Sequence, residues 1–518
     1  MKHNKAETLP RILFLTIRII LYAAAGILVF YVWKLNMLPN RYFLLLSAAV
    51  ILISLLVSLL LNLPRRGKWM KKTGYTRQII GCVLCLLLTA GYAVGIYAAA
   101  TLDSTITSIT TPSTVHVLLD IYVRADDPAQ YVQDTASYTF GVAEDTAADD
   151  LDSALAELKA LTGSDAATVA YPSAFAAIDA LLDGQVDAII LDSSYLSILD
   201  SLEGYSDFEE RARQLHEHVI EKEVPVTTPD PTSGSSFTPG IIQLPKDKDA
   251  AEVPFLLYIS GNDARREYLA DGGSDVNILV VVNPADHQIL LINTPRDYYV
   301  VNPASGDGSR DKLSHCGLKG IDNCIGAITD LYGQPIHYYA RINFSGFRTL
   351  VDAIGGVTVN VDVPFSASRY YFREGENYLD GDMALAFARE RKNLAGGDND
   401  RGKNQMKLIT AMIRQLSSGS LLKNYGSIME SLEGMFTTSM SAVDIAKLVQ
   451  LQLSEMPEWE IFSFAVTGDN GTDYCWAARG YGYVMYPHEH MVAHASGLIE
   501  KVLNGERLTQ EDLIPPQP

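Results

Sequence analysis

The sequence predicts an α/β (α+β) protein behind a membrane anchor: N-terminal transmembrane helices, a small α/β accessory domain, then a larger α/β domain with a central mixed sheet flanked by helices. Three observations predict it. Three apolar runs, each near the roughly 20 residues that cross a bilayer as a helix, fall within residues 1–100. Strand-like and helical runs then alternate between Val115 and Glu223. From Glu252 onward, three β-rich runs precede four helical patterns, which is the order of a second, larger α/β domain. A chain of 518 residues, 48% of them hydrophobic, has enough apolar material for two buried cores once the membrane segments are set aside.

The anchor comes first, over residues 1–100. Its spans are Ile19–Trp33, extendable back to Leu13 if Arg18 snorkels, then Phe43–Leu61 and Ile79–Ala100. Three spans in succession do not fit a cleaved secretory leader, which has one short apolar region followed by small residues. Lys2, Lys5 and Arg11 precede the first span, and Arg65, Arg66, Lys68, Lys71, Lys72 and Arg77 fill the loop between the second and third. Cytoplasmic loops carry the excess of Lys and Arg, so the expectation is a multi-pass cell-membrane protein with a cytoplasmic N-terminus and residues 101–518 outside.

The accessory domain is expected over 101–225. Residues 101–113, rich in Ser and Thr, read as a tether. Val115–Val123, Tyr138–Val142 and Val186–Leu191 are strand-like, and Asp150–Leu161 and Ala174–Leu182 are helical. The run ALLDGQVDAIILDSSYLSIL, Ala180–Leu199, looks like a piece of the periplasmic solute-binding fold. No ligand-binding constellation accompanies it, which favours a structural or docking role. A linker follows over 226–251, with VTTPDPTSGSSFTPG at its start. The larger domain is expected over 252–505, and the Pro-rich tail over 506–518 is expected to be disordered.

Charge limits the partners. The first hundred residues hold twelve Lys/Arg and one acid, Glu7; subtracting from the totals of 41 and 61 leaves 29 basic and 60 acidic residues, a difference of −31. Nucleic-acid binders need a basic footprint, so nucleic acid is excluded as a partner of the outer part. An anionic substrate must be held by a local cluster of Arg and Lys. Cys82 and Cys85 have C-x-x-C spacing but sit in an apolar run and read as packing residues. Cys316, Cys324 and Cys475 allow at most one disulfide, with Cys316–Cys324 as the candidate pair.

The chemistry is expected at one sheet edge. PFLLYIS ends near Ser260, and the loop after it carries Asp263, Arg265 and Arg266. VNILVVVN starts just after Asp275, turns at Asn283–His287, and returns as QILLINT to Thr294-Pro295-Arg296-Asp297. If these two runs form a hairpin, Asp275, Arg296 and Asp297 meet. Much later, helical patterns follow at Ile321–Leu331, Phe344–Ile354, Met383–Arg391 and Lys403–Leu416. MALAFARER places Arg389 and Arg391 in a last helical turn, and GGDNDRGKNQ supplies Asp398, Asp400, Arg401, Lys403 and Gln405. So many guanidinium groups repel one another unless an anion joins them, and a planar guanidinium takes phosphate oxygens in pairs. Helix-end Arg residues and an Arg-Asp dipeptide after a strand are individually ordinary surface features. It is the combination that favours a pyrophosphate. Oxygen ligands favour Mg²⁺ (or Mn²⁺), and no His/Cys spacing suits zinc; His488 and His490 read as loop residues.

The stretches LLYISGND, GSDVNILVVVNP, LINTPRDYYV, DKLSHCGLKGID, YYARINFSGFRTLVDAIGGVTVNVDVPF, LDGDMALAFARERK and GGDNDRGKNQ together resemble the LytR-CpsA-Psr family, over about Val253–Leu416. Three spans followed by an accessory domain resemble its capsule-type arrangement. The resemblance implies a glycopolymer phosphotransferase. Its substrate would be a polyprenyl-pyrophosphate glycan of capsular or teichoic type and its acceptor peptidoglycan, with the membrane and polysaccharide-synthesis proteins as further partners. It implies Asp263 and Asp275 as metal ligands and Arg296, Arg389 and Arg391 as catalytic groups; Asp297, beside Arg296, is the candidate base in our own reading of the mechanism. Lys312, Arg401 and Gln405, with Arg265 and Arg341, would complete the grip on substrate. An apolar tunnel for the lipid tail is also implied. Gly273 and Asn404 stand where the family usually has Arg, and Arg265, Arg266 or Lys403 are the nearest replacements. Three rival functions are a non-enzymatic regulator that binds the same lipid, a solute sensor using residues 115–223, and a DNA-binding attenuator. The last lacks the basic cytoplasmic domain it needs.

Overall fold

A computed structural model describes residues 5–61, 71–110, 114–199, 202, 204–223, 241–245, 248–262, 269, 272–420 and 434–515. The chain forms two compact units, one of residues 1–107 with 441–457 and the other of 108–440 with 458–518.

In the first unit, three helices, Lys5–Leu35, Asn40–Leu59 and Lys71–Thr110, are long and apolar enough to cross a membrane. Leu21, Val50, Cys85 and Tyr92 pack between them, while Leu44, Leu45, Leu86 and Leu87 point outward, as a hydrocarbon surround requires. Polar contacts knit the bundle: Tyr22 to Ser58 at 2.6 Å and Ser54 to Tyr92 at 2.9 Å. The third helix continues through Thr110, so most of the expected tether is helical. Its hydroxyls bond back to the preceding turn, Thr105 Oγ1 to Thr101 O at 3.0 Å and Thr107 Oγ1 to Asp103 O at 2.7 Å, which lets a Ser/Thr-rich stretch stay in a helix. The helix Ala442–Glu455 belongs to this unit, and Arg41 donates to Ser454 O at 2.6 Å.

In the second unit, β1 (Thr114–Arg124), β2 (Thr139–Ala143), β3 (Ala167–Tyr171), β4 (Ala188–Asp192) and β5 (Ala212–Glu223) form a mixed sheet of order β3-β2-β4-β1-β5. The helices Ala148–Thr162 and Ala174–Leu182 pack on it. The sequence reading missed β3 and β5; β3 is short and exposed along most of its length, so it carries no alternating pattern. One face of this domain shares its core with the larger domain: Tyr122, Phe175, Ile178, Leu181 and Leu202 pack with Leu318, Cys475, Ala477, Ala478 and Val484.

The larger domain is built on β6 (Phe255–Asn262), β7 (Val276–Asn283), β8 (Gln288–Asn293), β11 (Tyr338–Asn343), β16 (Phe436–Thr438) and β17 (Glu460–Ala465), in the order β16-β11-β6-β7-β8-β17. β6, β7 and β8 are antiparallel neighbours, whereas β11 and β17 join in parallel, which makes the sheet mixed. Short pairs lie around it: β9 (Tyr299–Val301) with β10 (Arg310–Lys312), β12 (Val357–Val361) with β15 (Gly375–Leu379), β13 (Phe365–Ala367) with β14 (Tyr370–Phe372), and β18 (Gly468–Cys475) with β19 (Gly480–Pro487). Leu256, Tyr258, Leu279, Val281, Leu290, Ile292, Phe462 and Phe464 form one sheet face and pack against the helices Ile321–Tyr332 and Glu489–Leu503. Each such side chain contributes about 1.5–3 kcal/mol on burial.

Three expectations need correction. Residues 224–240, where most of the linker falls, lie outside the described residues, but Ile242 N donates to Ile336 O at 2.9 Å, so the linker's end already belongs to the larger domain. The expected disordered tail is folded up to residue 515. Leu508 is buried in the main core, and Lys501 pairs with Asp512 at 2.6 Å. All five cysteines are free, and Cys316 and Cys324 are buried as thiols in the same apolar core.

Candidate functional site

The hairpin of β7 and β8 brings together the residues at its open end. Register pairs Ile278 with Asn293, and Thr294 N donates to Asn277 O at 2.9 Å, which sets Asp275 and Arg296 side by side just beyond the strands. Arg296 Nη1 meets Asp275 Oδ1 at 2.6 Å, and Arg296 Nε lies 3.7 Å from Asp297 Oδ2. Lys312, at the end of β10 and fully buried, reaches Asp297 Oδ1 at 3.6 Å. From the other side comes the helix Asp398–Gln415, lying against β7, β8 and β17. On its first turns Arg401 pairs with Asp398 at 2.5 Å. Gly402 allows this approach, because a Cβ there would stand 2.1 Å from Asn293 Nδ2.

Backbone bonds hold the segments in place. Ser314 N donates to Arg296 O at 2.8 Å, Ser274 N to Ser314 O at 2.9 Å, and Asp275 N to Gly261 O at 2.7 Å. Gly317 is required at the crossing, since a Cβ would lie 2.4 Å from Gly272 O. Beneath Asp275 a buried polar network joins Tyr258, Ser260, Ser274 and Asn277. Ser274 Oγ donates to Asn277 Oδ1 at 2.8 Å and lies 2.8 Å from Ser260 Oγ; Tyr258 OH donates to Asn277 Oδ1 at 2.5 Å. Sequence reasoning missed this network. Its signal was a Ser and an Asn inside two otherwise apolar strand runs, where polar side chains need partners.

A second support lies behind Lys312. Neighbouring residues on a strand face opposite ways, so Asp311 points away from the site. Its carboxylate accepts from Lys312 N at 2.8 Å and Ala477 N at 2.6 Å and meets His315 Nδ1 at 2.6 Å. Burial works to raise the Asp311 pKa, yet His315 and the two amides outweigh it and hold the carboxyl below its ordinary value.

The cluster is charge-dense and mostly dry. Burial would lower the Arg296 pKa, but the carboxylates of Asp275 and Asp297 outweigh it and raise the guanidinium above its ordinary value. Arg401 is lowered, first by burial and then by the nearby Arg296. Asp398 is raised, chiefly by burial, with Asp297 adding to it and Arg401 opposing. Among the described residues, Arg296 Nε and Asn404 Nδ2 are buried without a hydrogen-bond partner. Orphaned donors beside crowded cations fit a multivalent oxyanion. Asp275 and Asp297 are oxygen donors of the kind a hard divalent cation takes.

The other expected residues divide. Arg391 acts electrostatically on both Asp398 and Tyr483 and so borders the cluster, but the helix Gly381–Arg389 ends before it. Arg389, in that helix's last turn, is exposed and stacks on Phe344 at 4.9 Å. Gln405 Nε2 donates to Ala388 O at 3.2 Å, which ties the two helices together. Arg341 is buried on β11 in register with Ser260, and β6 separates it from β7. Asp263, Arg265 and Arg266 lie outside the described residues. Of the PHEH pair, His488 lies between β19 and the helix Glu489–Leu503, as expected of a loop residue, and meets Asp469 at 3.1 Å, whereas His490 is inside that helix.

A model of the LytR_cpsA_psr family matches residues 211–494. Similar proteins include the polyisoprenyl-teichoic acid–peptidoglycan teichoic acid transferase TagU of Bacillus mycoides, 33% identical over 208 residues, 38% of this chain and 67% of that protein. TagU of Enterococcus faecalis is 34% identical over 203 residues, 39% of this chain and 65% of its own. The chain thus spans about two thirds of the length of these relatives. Among solved structures, that of B. subtilis TagV is similar at 25% identity and a TM-score of 0.42, covering 49% of this chain and 98% of the other. The family match takes in the strands, the hairpin end and the helix that build the cluster, and on it the chain belongs to the LytR-CpsA-Psr family.

Proposed function

We propose that this membrane-anchored protein is a glycopolymer phosphotransferase that moves a polysaccharide from a polyprenyl-pyrophosphate carrier to peptidoglycan, outside the cell. The reading rests on one observation above all: Arg296, Lys312 and Arg401 gather with Asp275, Asp297 and Asp398 in a largely buried cluster whose Arg296 Nε has no hydrogen-bond partner among the described residues. The related proteins are named as transferases between a polyisoprenyl-linked polymer and peptidoglycan, which agrees with it. The outward orientation is supported by Lys34 and Asp103, paired at 2.5 Å, which set the end of the first helix and the end of the third at the same side. Lys71 and Lys72, at the start of the third helix, then fall on the opposite side, where the cytoplasm is expected.

In this mechanism a hydroxyl of the wall sugar attacks the polymer-proximal phosphorus. The new phosphorus–oxygen bond forms as the bond to the bridging oxygen breaks, and lipid monophosphate leaves with that oxygen. Asp297 takes the hydroxyl proton, held in place by Arg296 and Lys312. Arg296 and Arg401 neutralise the phosphoryl oxygens and the leaving group, so catalysis is mostly positioning and charge compensation. Asp275, with Asp263, would hold Mg²⁺ (or Mn²⁺), which supplies further charge neutralisation on the pyrophosphate.

The test is turnover. Full-length protein in detergent micelles, given a polyprenyl-pyrophosphate glycan, a peptidoglycan fragment and Mg²⁺, is expected to release lipid monophosphate. Arg296→Ala should slow this about a hundredfold or more, as loss of a transition-state contact does. Lipid that stays bound but unconverted in the wild type would instead identify a lipid-binding regulator.

A further inference from the structure

We propose that the exposed tyrosine face of the β18–β19 hairpin is the track on which the sugar chain of the donor lies. This rests on the reading above and assigns the surface that takes the sugar part of the donor.

The hairpin is fastened to the catalytic segment. Met485 N donates to Asp297 O at 2.7 Å, and Tyr298 forms a bridge with Met485. Register puts Tyr483 opposite Thr472 and Tyr481 opposite Tyr474, so all four share one face. Tyr483 stands at the site end: Asp297, Asp398 and Arg391 all act on it electrostatically. Tyr481 follows about 7 Å further along the strand. Its ring meets that of Tyr474 edge-on at 5.8 Å, and it is 71% exposed. Beyond it, Tyr481 lines a cavity of about 350 Å³ shared with the accessory domain, whose other walls include Phe175, Asp179, Tyr205 and Arg479.

Large exposed aromatic patches mark binding surfaces. Rings with a polar edge, interleaved with Asn470 and Thr472, match a ligand that presents apolar faces and hydroxyls in alternation, as pyranose rings do. Continuity chooses the occupant. The first sugar of the donor is bonded to the proximal phosphate, so the chain must leave the anion site along whatever surface adjoins it, and Tyr483 adjoins it.

The experiment compares two donors on the full chain in micelles, polyprenyl pyrophosphate bearing a single N-acetylhexosamine and the same carrier bearing a long neutral oligosaccharide. Tyr474→Ala with Tyr481→Ala should raise KM for the long donor about tenfold. It should leave the monosaccharide donor unchanged, and Tyr481→Phe should restore the wild-type value. Equal effects on both donors, or none on either, would overturn the proposal. Binding of the free oligosaccharide, followed by tyrosine fluorescence, separates this from the catalytic reading. A wild type that binds the sugar but turns over neither donor defeats the transferase and leaves the track standing, and one that converts the monosaccharide donor but does not bind the free chain defeats the track.

Discussion

Arg296 carries more of the site than any other residue, because one guanidinium touches both the candidate metal carboxylate and the candidate base. Replacing it by Lys keeps the charge but removes the planar fork. Arg296→Lys should therefore retain the folded state and still lose most of the rate, which thermal melting and turnover measured together will decide. Asp398 makes a prediction about pH. Burial raises its folded pKa above the unfolded carboxylate value of 3.8, so between the two values the folded state holds a proton the unfolded state has released. Stability should fall as pH rises through that window. Asp398→Asn removes that component, and melting curves taken at successive pH values would show a flatter dependence; an unchanged slope would mean that Asp398 titrates alike in both states. The arginines, lysine and carboxylates were legible in the sequence as a residue inventory. Their division of labour was not. Gln405 binds a helix end and Arg389 lies on Phe344 because side-chain direction depends on which turn of the helix each residue occupies.

At the scale of elements, the hairpin was readable, since Asn283 and His287 bracket a polar turn between two apolar runs. Asp286 N donates to Asn283 Oδ1 at 3.3 Å, and His287 takes the left-handed conformation there. The helix expected from Lys403 starts at Asp398 instead. Its acidic first turn suits a helix N-terminus, but the Gly, Asn and Asp residues there hid the start. Two glycine contacts were beyond sequence patterning because they depend on elements far apart in the chain. Gly317→Ala drives a methyl into Gly272 O, a backbone atom that cannot rotate away. It should cost about 1–3 kcal/mol. Because Gly272 leads into Ser274 and Asp275, turnover should fall further than the lost stability accounts for. A variant with wild-type melting and wild-type rate would show that the crossing is looser than it stands.

At the scale of the whole molecule, composition foretold an accessory domain but not its attachment. Cys475, Ala477, Ala478 and Val484 looked like ordinary strand and loop residues, yet they complete the core of the accessory sheet. A face of that kind has no period of its own to betray its partner. Removing residues 114–223 exposes this face together with Leu318, so the shortened protein should melt well below the parent or aggregate, whatever the accessory domain binds. A fully stable and active shortened protein would mean that the shared core contributes nothing. The central claim is that separated arginines and carboxylates converge on two linked phosphates, and calorimetry on the full chain in micelles addresses it directly, comparing polyprenyl pyrophosphate with polyprenyl monophosphate. The wild type should prefer the pyrophosphate by at least tenfold, and Arg296→Ala should abolish that preference. Equal affinity for the two lipids in the wild type, or a preference that survives in Arg296→Ala, would contradict it.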